Sequence, residues 1–136
     1  MANNKRKIPW GRTLTTNDHY LGGSATGSKK RRPVVVIETN DRNELAVVPL
    51  SSKEGSNRTR MKKYQDGKSY FKHYVEIEDN EGKPIKPGTK FKENHPSHDV
   101  SLVDVNKIRD KVFYHSKVSN KNRSLISRFR SNKKAR

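Results

Sequence analysis

The chain has 136 residues, of which 31 are lysine or arginine and 14 aspartate or glutamate; the formal net charge is +17 and only 29% of the residues are hydrophobic. With a mean hydropathy of −1.15, this describes one small domain with tails rather than a chain burying a large core. The lack of cysteine excludes disulfides, thiolate zinc sites and thiol catalysis. No apolar run approaches the roughly 20 residues that span a bilayer, and no signal-peptide core follows the start, so the chain reads as soluble and cytoplasmic, with no membrane partner.

Residues 1–30 read as a flexible basic segment, since Met1–Arg32 hold 8 basic residues and 1 acidic residue and the stretch from Gly22 to Ser28 is mostly glycine and serine, with Ala25 and Thr26 between them. Two short anchors, Ile8-Pro9-Trp10 and Tyr20-Leu21, can dock. Next comes Arg31–Ser52, the stretch around which the rest is organised. Two apolar runs, Pro33–Ile37 and Leu45–Leu50, flank Asn40-Asp41-Arg42-Asn43, whose side chains favour a turn. The runs are short, rich in valine and apolar at consecutive positions, which predicts a β-hairpin covered on both faces. Pro33 opens the first strand harmlessly, whereas Pro49 is expected to end pairing or mark a bulge. Entry and exit of an antiparallel hairpin lie side by side, so Arg31 and Arg32 should meet Ser51, Ser52 and Lys53 at one rim. Such flanks commonly serve solubility; alternatively, guanidinium forks and hydroxyls make a phosphate site.

Lys53–Lys68 is polar, and its Arg58, Arg60, Lys62 and Lys63 form either a solvated loop or a rim that follows a phosphodiester backbone. Ser69–Glu78 alternates with period two, which predicts one strand with Phe71, His73, Val75 and Ile77 facing inward; His73 is expected to be a satisfied core histidine. Asp79–Gly88 reads as loop. The segment Asn94–Asp99 gathers His95, Ser97, His98 and Asp99; it fits no metal signature, while acid/base use of His95 and His98 stays open. A strand over Val100–Val103 and a helix capped by Asp104 or Asn106, with Val105, Ile108 and Val112 on one face, are predicted next. A last helix over Asn120–Phe129 and a disordered tail over 131–136 complete the chain.

The pattern predicts an α+β domain over 31–130 on a small, strongly bent antiparallel sheet. Charge is uneven: Pro33–Asp110 is nearly neutral, with 14 basic and 13 acidic residues, whereas Lys111–Arg136 holds 9 basic and 0 acidic. Basic ends of this kind favour a polyanion, and nucleic acid is the first partner to consider.

Arg32-Pro33-Val34-Val35-Val36-Ile37, a polar turn, and Leu45-Ala46-Val47-Val48-Pro49-Leu50-Ser51-Ser52 resemble the "RPVVVIS … VVPLTS" core of the MazF/PemK family of toxin endoribonucleases. Ser101–Ile108 looks like the strand and helix start near the end of those proteins, while the family's opening Gly-Asp-Ile/Val strand has no match here. The resemblance implies a small SH3-like antiparallel β-barrel with a C-terminal helix, usually a homodimer, acting as the toxin of a toxin–antitoxin system with a cognate antitoxin of protein or RNA. It implies cleavage of single-stranded RNA without metal or cofactor. Arg32 matches the arginine that stabilises the attacked phosphate, and Ser51 and Ser52 match the pair that positions it. Arg31, Lys53, Arg58, Arg60, Lys62 and Lys63 are then RNA-binding candidates, and Lys53 is similar in place to the catalytic lysine of ToxN-type toxins. The alternatives are a non-catalytic nucleic-acid- or ribosome-binding protein and a poison of an essential enzyme such as gyrase.

Overall fold

A computed structural model of the chain describes residues 8–22 and 30–114. The glycine- and serine-rich stretch beyond Gly22, the helix expected over 120–129 and the tail 131–136 lie outside the described residues. Seven strands precede the single described α-helix: β1 Thr13–Asn17, β2 Arg31–Thr39, β3 Leu45–Ser51, β4 Arg58–Arg60, β5 Tyr70–Lys72, β6 Tyr74–Val75 and β7 Phe91–Glu93; α1 Leu102–Lys111 and β8 Phe113–Tyr114 follow. Six of them form one antiparallel sheet in the order β4-β5-β3-β2-β1-β7, and β6 pairs with β8 in parallel. The protein is a small α+β fold.

The hairpin of β2 and β3 forms as its sequence dictates. Asn40 turns the chain by accepting at Oδ1 from the Arg42 and Glu44 amides, and Asn43 takes the left-handed conformation at φ 56°. The consecutive apolar runs are explained by burial on both sides. Val35, Ile37, Val48 and Leu50 join Phe71, Met61 and the helix residues Val105 and Ile108 in one cluster. Val34, Val36, Leu45 and Val47 join Leu14, Ile85 and Phe91 in a second.

Pro49 neither ends pairing nor marks a bulge: it sits opposite Val34, and β3 goes on to pair with β5 through Leu50 and Ser51. The bulge is in β2, where Val36 faces Val47 but Glu38 already faces Ala46, leaving Ile37 as the extra residue. That insertion places Glu38 on the helix side of the sheet. There its carboxylate receives Arg109 Nη2 at 3.1 Å, while Arg109 Nη1 donates to the Ile37 carbonyl at 2.7 Å and the guanidinium lies 4.2 Å from the Trp10 ring centroid. Both ionic side chains are almost fully buried.

Four further sequence expectations are corrected. Thr13–Asn17, assigned to a flexible segment, is a strand with a buried or half-buried side chain at every position, hydrogen-bonded between β2 and β7; its alternation of threonine around Leu14 suits a pleated surface. Ile8 and Leu21, the expected anchors, are buried beside it. The predicted strand 69–78 is interrupted at His73, whose Nε2 meets Thr59 Oγ1 at 2.6 Å and whose backbone turns to Asn57 and Phe113. Val100–Val103 forms no strand: Val100 gives one amide to Gly11, and the helix begins at Leu102 because Ser101 caps it, accepting from the Asp104 amide at 3.4 Å. Asp104 is therefore not the cap. Among the described residues, no helix is long and apolar enough to cross a membrane.

Candidate functional site

Where β2 begins and β3 ends, the sheet leaves an open cleft of about 520 Å3. Of its 13 described lining residues six are cations, Lys30, Arg31, Arg32, Lys53, Arg58 and Lys68, and none is acidic. Ser51, Ser52 and Ser69 contribute hydroxyls, and Tyr64 and Gln65 close the side nearest the loop after β4. The antiparallel pairing brings these groups together, because the register Val34↔Pro49 carries Arg32 and Ser51 to the same rim.

Arg32 is held from two sides. Its Nε donates to Asp18 Oδ1 at 2.8 Å and its Nη1 to the Leu50 carbonyl at 2.9 Å. Both side chains of this ion pair are largely shielded, at 16% and 15% exposure. Asp18 reaches Arg32 because β1 pairs Thr16 with Arg32 and the chain then turns through a short 3-10 helix, Asp18–Tyr20. Ser51 is fixed by a third arginine: Arg58 Nη1 donates to Ser51 Oγ at 3.1 Å and to the Lys53 carbonyl at 2.9 Å, while the Lys53 amide donates to Ser51 Oγ at 3.1 Å. Ser52 and Lys53 are exposed at the lip.

On the same side of β5 lies a second layer. Arg58 stands opposite Lys72 in the sheet register. Burial lowers the Lys72 pKa below its ordinary value, and the positive fields of Arg32 and Arg58 lower it further. Burial raises the Tyr74 pKa, assisted by Glu76 and opposed by Arg32. Lys72 and Tyr74 thus belong to one electrostatic group with Arg32, Arg58, Asp18 and Glu76.

The loop that closes the cleft is anchored from below. The two carboxylate oxygens of buried Asp104 accept from the backbone amides of Lys62, Lys63 and Tyr64 at 2.6, 2.9 and 3.0 Å. Gln65 and Asp66 then pass through the left-handed region at φ 55° and 54°, a conformation that costs energy in non-glycine residues and collects at binding loops.

Of the residues singled out from sequence, Arg31, Arg32, Ser51, Ser52, Lys53 and Arg58 share the cleft. Arg60 does not line it and donates to the Gly67 carbonyl at 2.5 Å. Lys62 and Lys63 are exposed on the anchored loop. His95 and His98 lie elsewhere: they are exposed around a 3-10 turn after β7, where Asn94 and His98 bond Thr13, at the far end of β1 from Arg32. Asp18, Lys68, Lys72 and Tyr74 were missed. Among the described residues, no three of His, Cys, Asp or Glu are grouped as a metal-ligand set.

Chemically, the cleft offers a concentrated positive field, a Ser51 hydroxyl held in place and a guanidinium immobilised before any ligand arrives, which suits an oxyanion such as phosphate. Comparison with protein-family models, curated proteins and solved structures finds no match.

Proposed function

We propose that this protein is an endoribonuclease that cleaves single-stranded RNA without metal, acting as the toxin of a toxin–antitoxin system on a MazF-like, SH3-like sheet. The observation that carries the reading is the meeting of Arg32 with Ser51 and Ser52 in one cleft whose described lining holds six cations and no acid, at the positions where residues 32–52 resemble the MazF/PemK core. In the reaction the substrate's own 2′-oxygen attacks the adjacent phosphorus and the 5′-oxygen of the next nucleotide leaves. The products are a 2′,3′-cyclic phosphate and a 5′-hydroxyl. Arg32 supplies donors to the charge that builds on the nonbridging oxygens, its orientation set beforehand by Asp18 and the Leu50 carbonyl. Ser51, held by Arg58, and Ser52 place the phosphate.

One observation favours the second reading, a non-catalytic nucleic-acid- or ribosome-binding protein. Among the described lining residues none is His, Asp or Glu, the groups that most often move protons near neutral pH. A metal-free cleavage assay on single-stranded RNA with end-group analysis separates the two. New 5′-hydroxyl ends that disappear in Arg32→Ala support the nuclease; salt-sensitive RNA retention with no new ends supports the binder.

A further inference from the structure

Beside the cleft, on the other side of Arg31, lies a second open depression of about 430 Å3. Thr15 and Asn17 of β1, Tyr20, Lys90, and Lys92 of β7 line it, and Arg31 lines both depressions. Neither set of described lining residues includes an acid. The topology causes this continuity. Arg31 pairs with Asn17, and Thr15 pairs with Lys92, so a line from the first cleft crosses β2, β1 and β7 near one end of the sheet. Two strand spacings and a two-residue step along β1 separate Arg31 from Lys92, about 12 Å, which a nucleic-acid strand covers within about four nucleotides even at the ~3.4 Å rise of a stacked chain.

We propose that this second depression is a seat for the sugar–phosphate backbone of the same single-stranded RNA, several nucleotides from the phosphate held at Arg32. Its chemistry points to backbone rather than base. The Tyr20 ring, the only aromatic side chain among the described lining residues, is half-buried and carries the Lys90 ammonium at 5.5 Å from its centroid, so that cation occupies a site where a base would stack. Lys90 is itself tied to Glu81 at 3.2 Å and to Asp79 at 3.6 Å, which leaves exposed Lys92 and Arg31 as the charges presented to a strand. The seat therefore adds affinity and sets direction across the sheet without reading sequence. This rests on the first cleft binding RNA, not on its cutting RNA.

The test uses the full chain and 2′-O-methylated oligonucleotides, whose blocked 2′-oxygen prevents cleavage, in two lengths: one that fills only the Arg32 cleft and one that extends past it. Fluorescence anisotropy should show Lys92→Glu weakening the longer oligonucleotide about three- to tenfold at low salt and flattening its salt dependence by roughly one charge. The loss should be similar for unrelated sequences, and binding of the short oligonucleotide should be unchanged, which also verifies folding. Lys92→Ala should give a smaller loss of the same kind. Unchanged affinity for the longer strand, or an equal loss for both lengths, overturns the proposal. A protein that fails to cut native RNA yet shows this length-dependent loss keeps the seat and loses the nuclease reading; one that cuts RNA while Lys92→Glu binds normally does the reverse.

Discussion

Asp18 Oδ1 lies 2.8 Å from Arg32 Nε, an acid placed against the arginine on which the proposed chemistry depends. The pairing has opposite effects on binding and on turnover. The carboxylate cancels part of the positive field, and it also removes the freedom of a long side chain to point elsewhere. Asp18→Asn should therefore bind RNA more tightly at low salt while cleaving it about tenfold more slowly, since the rate depends on orientation and the affinity on charge. Affinity and single-turnover rate measured on the same variant decide this; a parallel rise in both would show that Asp18 only restrains binding.

Arg32→Ala should lower metal-free RNA cleavage by roughly two to three orders of magnitude, the usual effect of deleting a donor to a developing oxyanion. Because the substitution strands Asp18, circular dichroism and Arg32→Lys accompany it. Lysine keeps the charge but not the two-sided hold on Asp18 and Leu50, so it should restore RNA affinity and little of the rate.

Asp104 connects the helix to the cleft. Asp104→Ala leaves three backbone amides of residues 62–64 without their acceptor, and should cost about 2–4 kcal/mol in urea unfolding. Hydrogen exchange should rise first in 61–68, and RNA affinity should fall although no cation has been removed. Exchange unchanged in that loop would show the anchor to be idle.

The Arg109–Glu38 pair is buried beneath the bulge, and breaking one side leaves an uncompensated charge. Glu38→Gln and Arg109→Met should each destabilise by about 3–5 kcal/mol, and the double variant by less than their sum. Additive losses in a double-mutant cycle would show that the two side chains do not act as a pair.

Stability above neutral pH should carry two opposite slopes. Lys72 has a folded pKa below 10.5, chiefly through burial; between that lowered value and 10.5 the unfolded chain binds the extra proton, so stability rises with pH. Tyr74 has a folded pKa above 10.0, again chiefly through burial; from 10.0 up to the raised value the folded chain holds the extra proton, and stability falls. Urea melts from about pH 8 to about pH 11 should lose the rise in Lys72→Met and the fall in Tyr74→Phe.

The hairpin and the meeting of Arg32 with the two serines were legible because they follow from local rules: an asparagine-rich turn fixes the pairing, and antiparallel pairing brings the flanks together. Val105 and Ile108 were legible from helical spacing, and both are buried. What escaped depended on distant partners. Thr13–Asn17 is a strand because β2 and β7 flank it, and the charge around it pointed the other way. Its threonine alternation was the available signal. Asp18 acquires a role only when that strand delivers it to Arg32. Asp104 looked like a cap because acids favour first turns, yet its carboxylate serves a loop forty residues earlier. Lys72 and Tyr74 were missed because alternation along 69–78 does not reveal that the charges of Arg32 and Arg58 act on them.

The extra residue at Ile37 couples the two ends of β2. Before it, odd-numbered Val35 faces the helix; after it, even-numbered Glu38 does. Shortening β2 by one residue there would force a choice of phase: either Arg32 keeps its rim and Glu38 swings away from Arg109, or the ion pair is kept and Arg32 turns to the opposite surface. A one-residue deletion there disturbs both ends of the strand at once, and its length is therefore the property of β2 least free to drift.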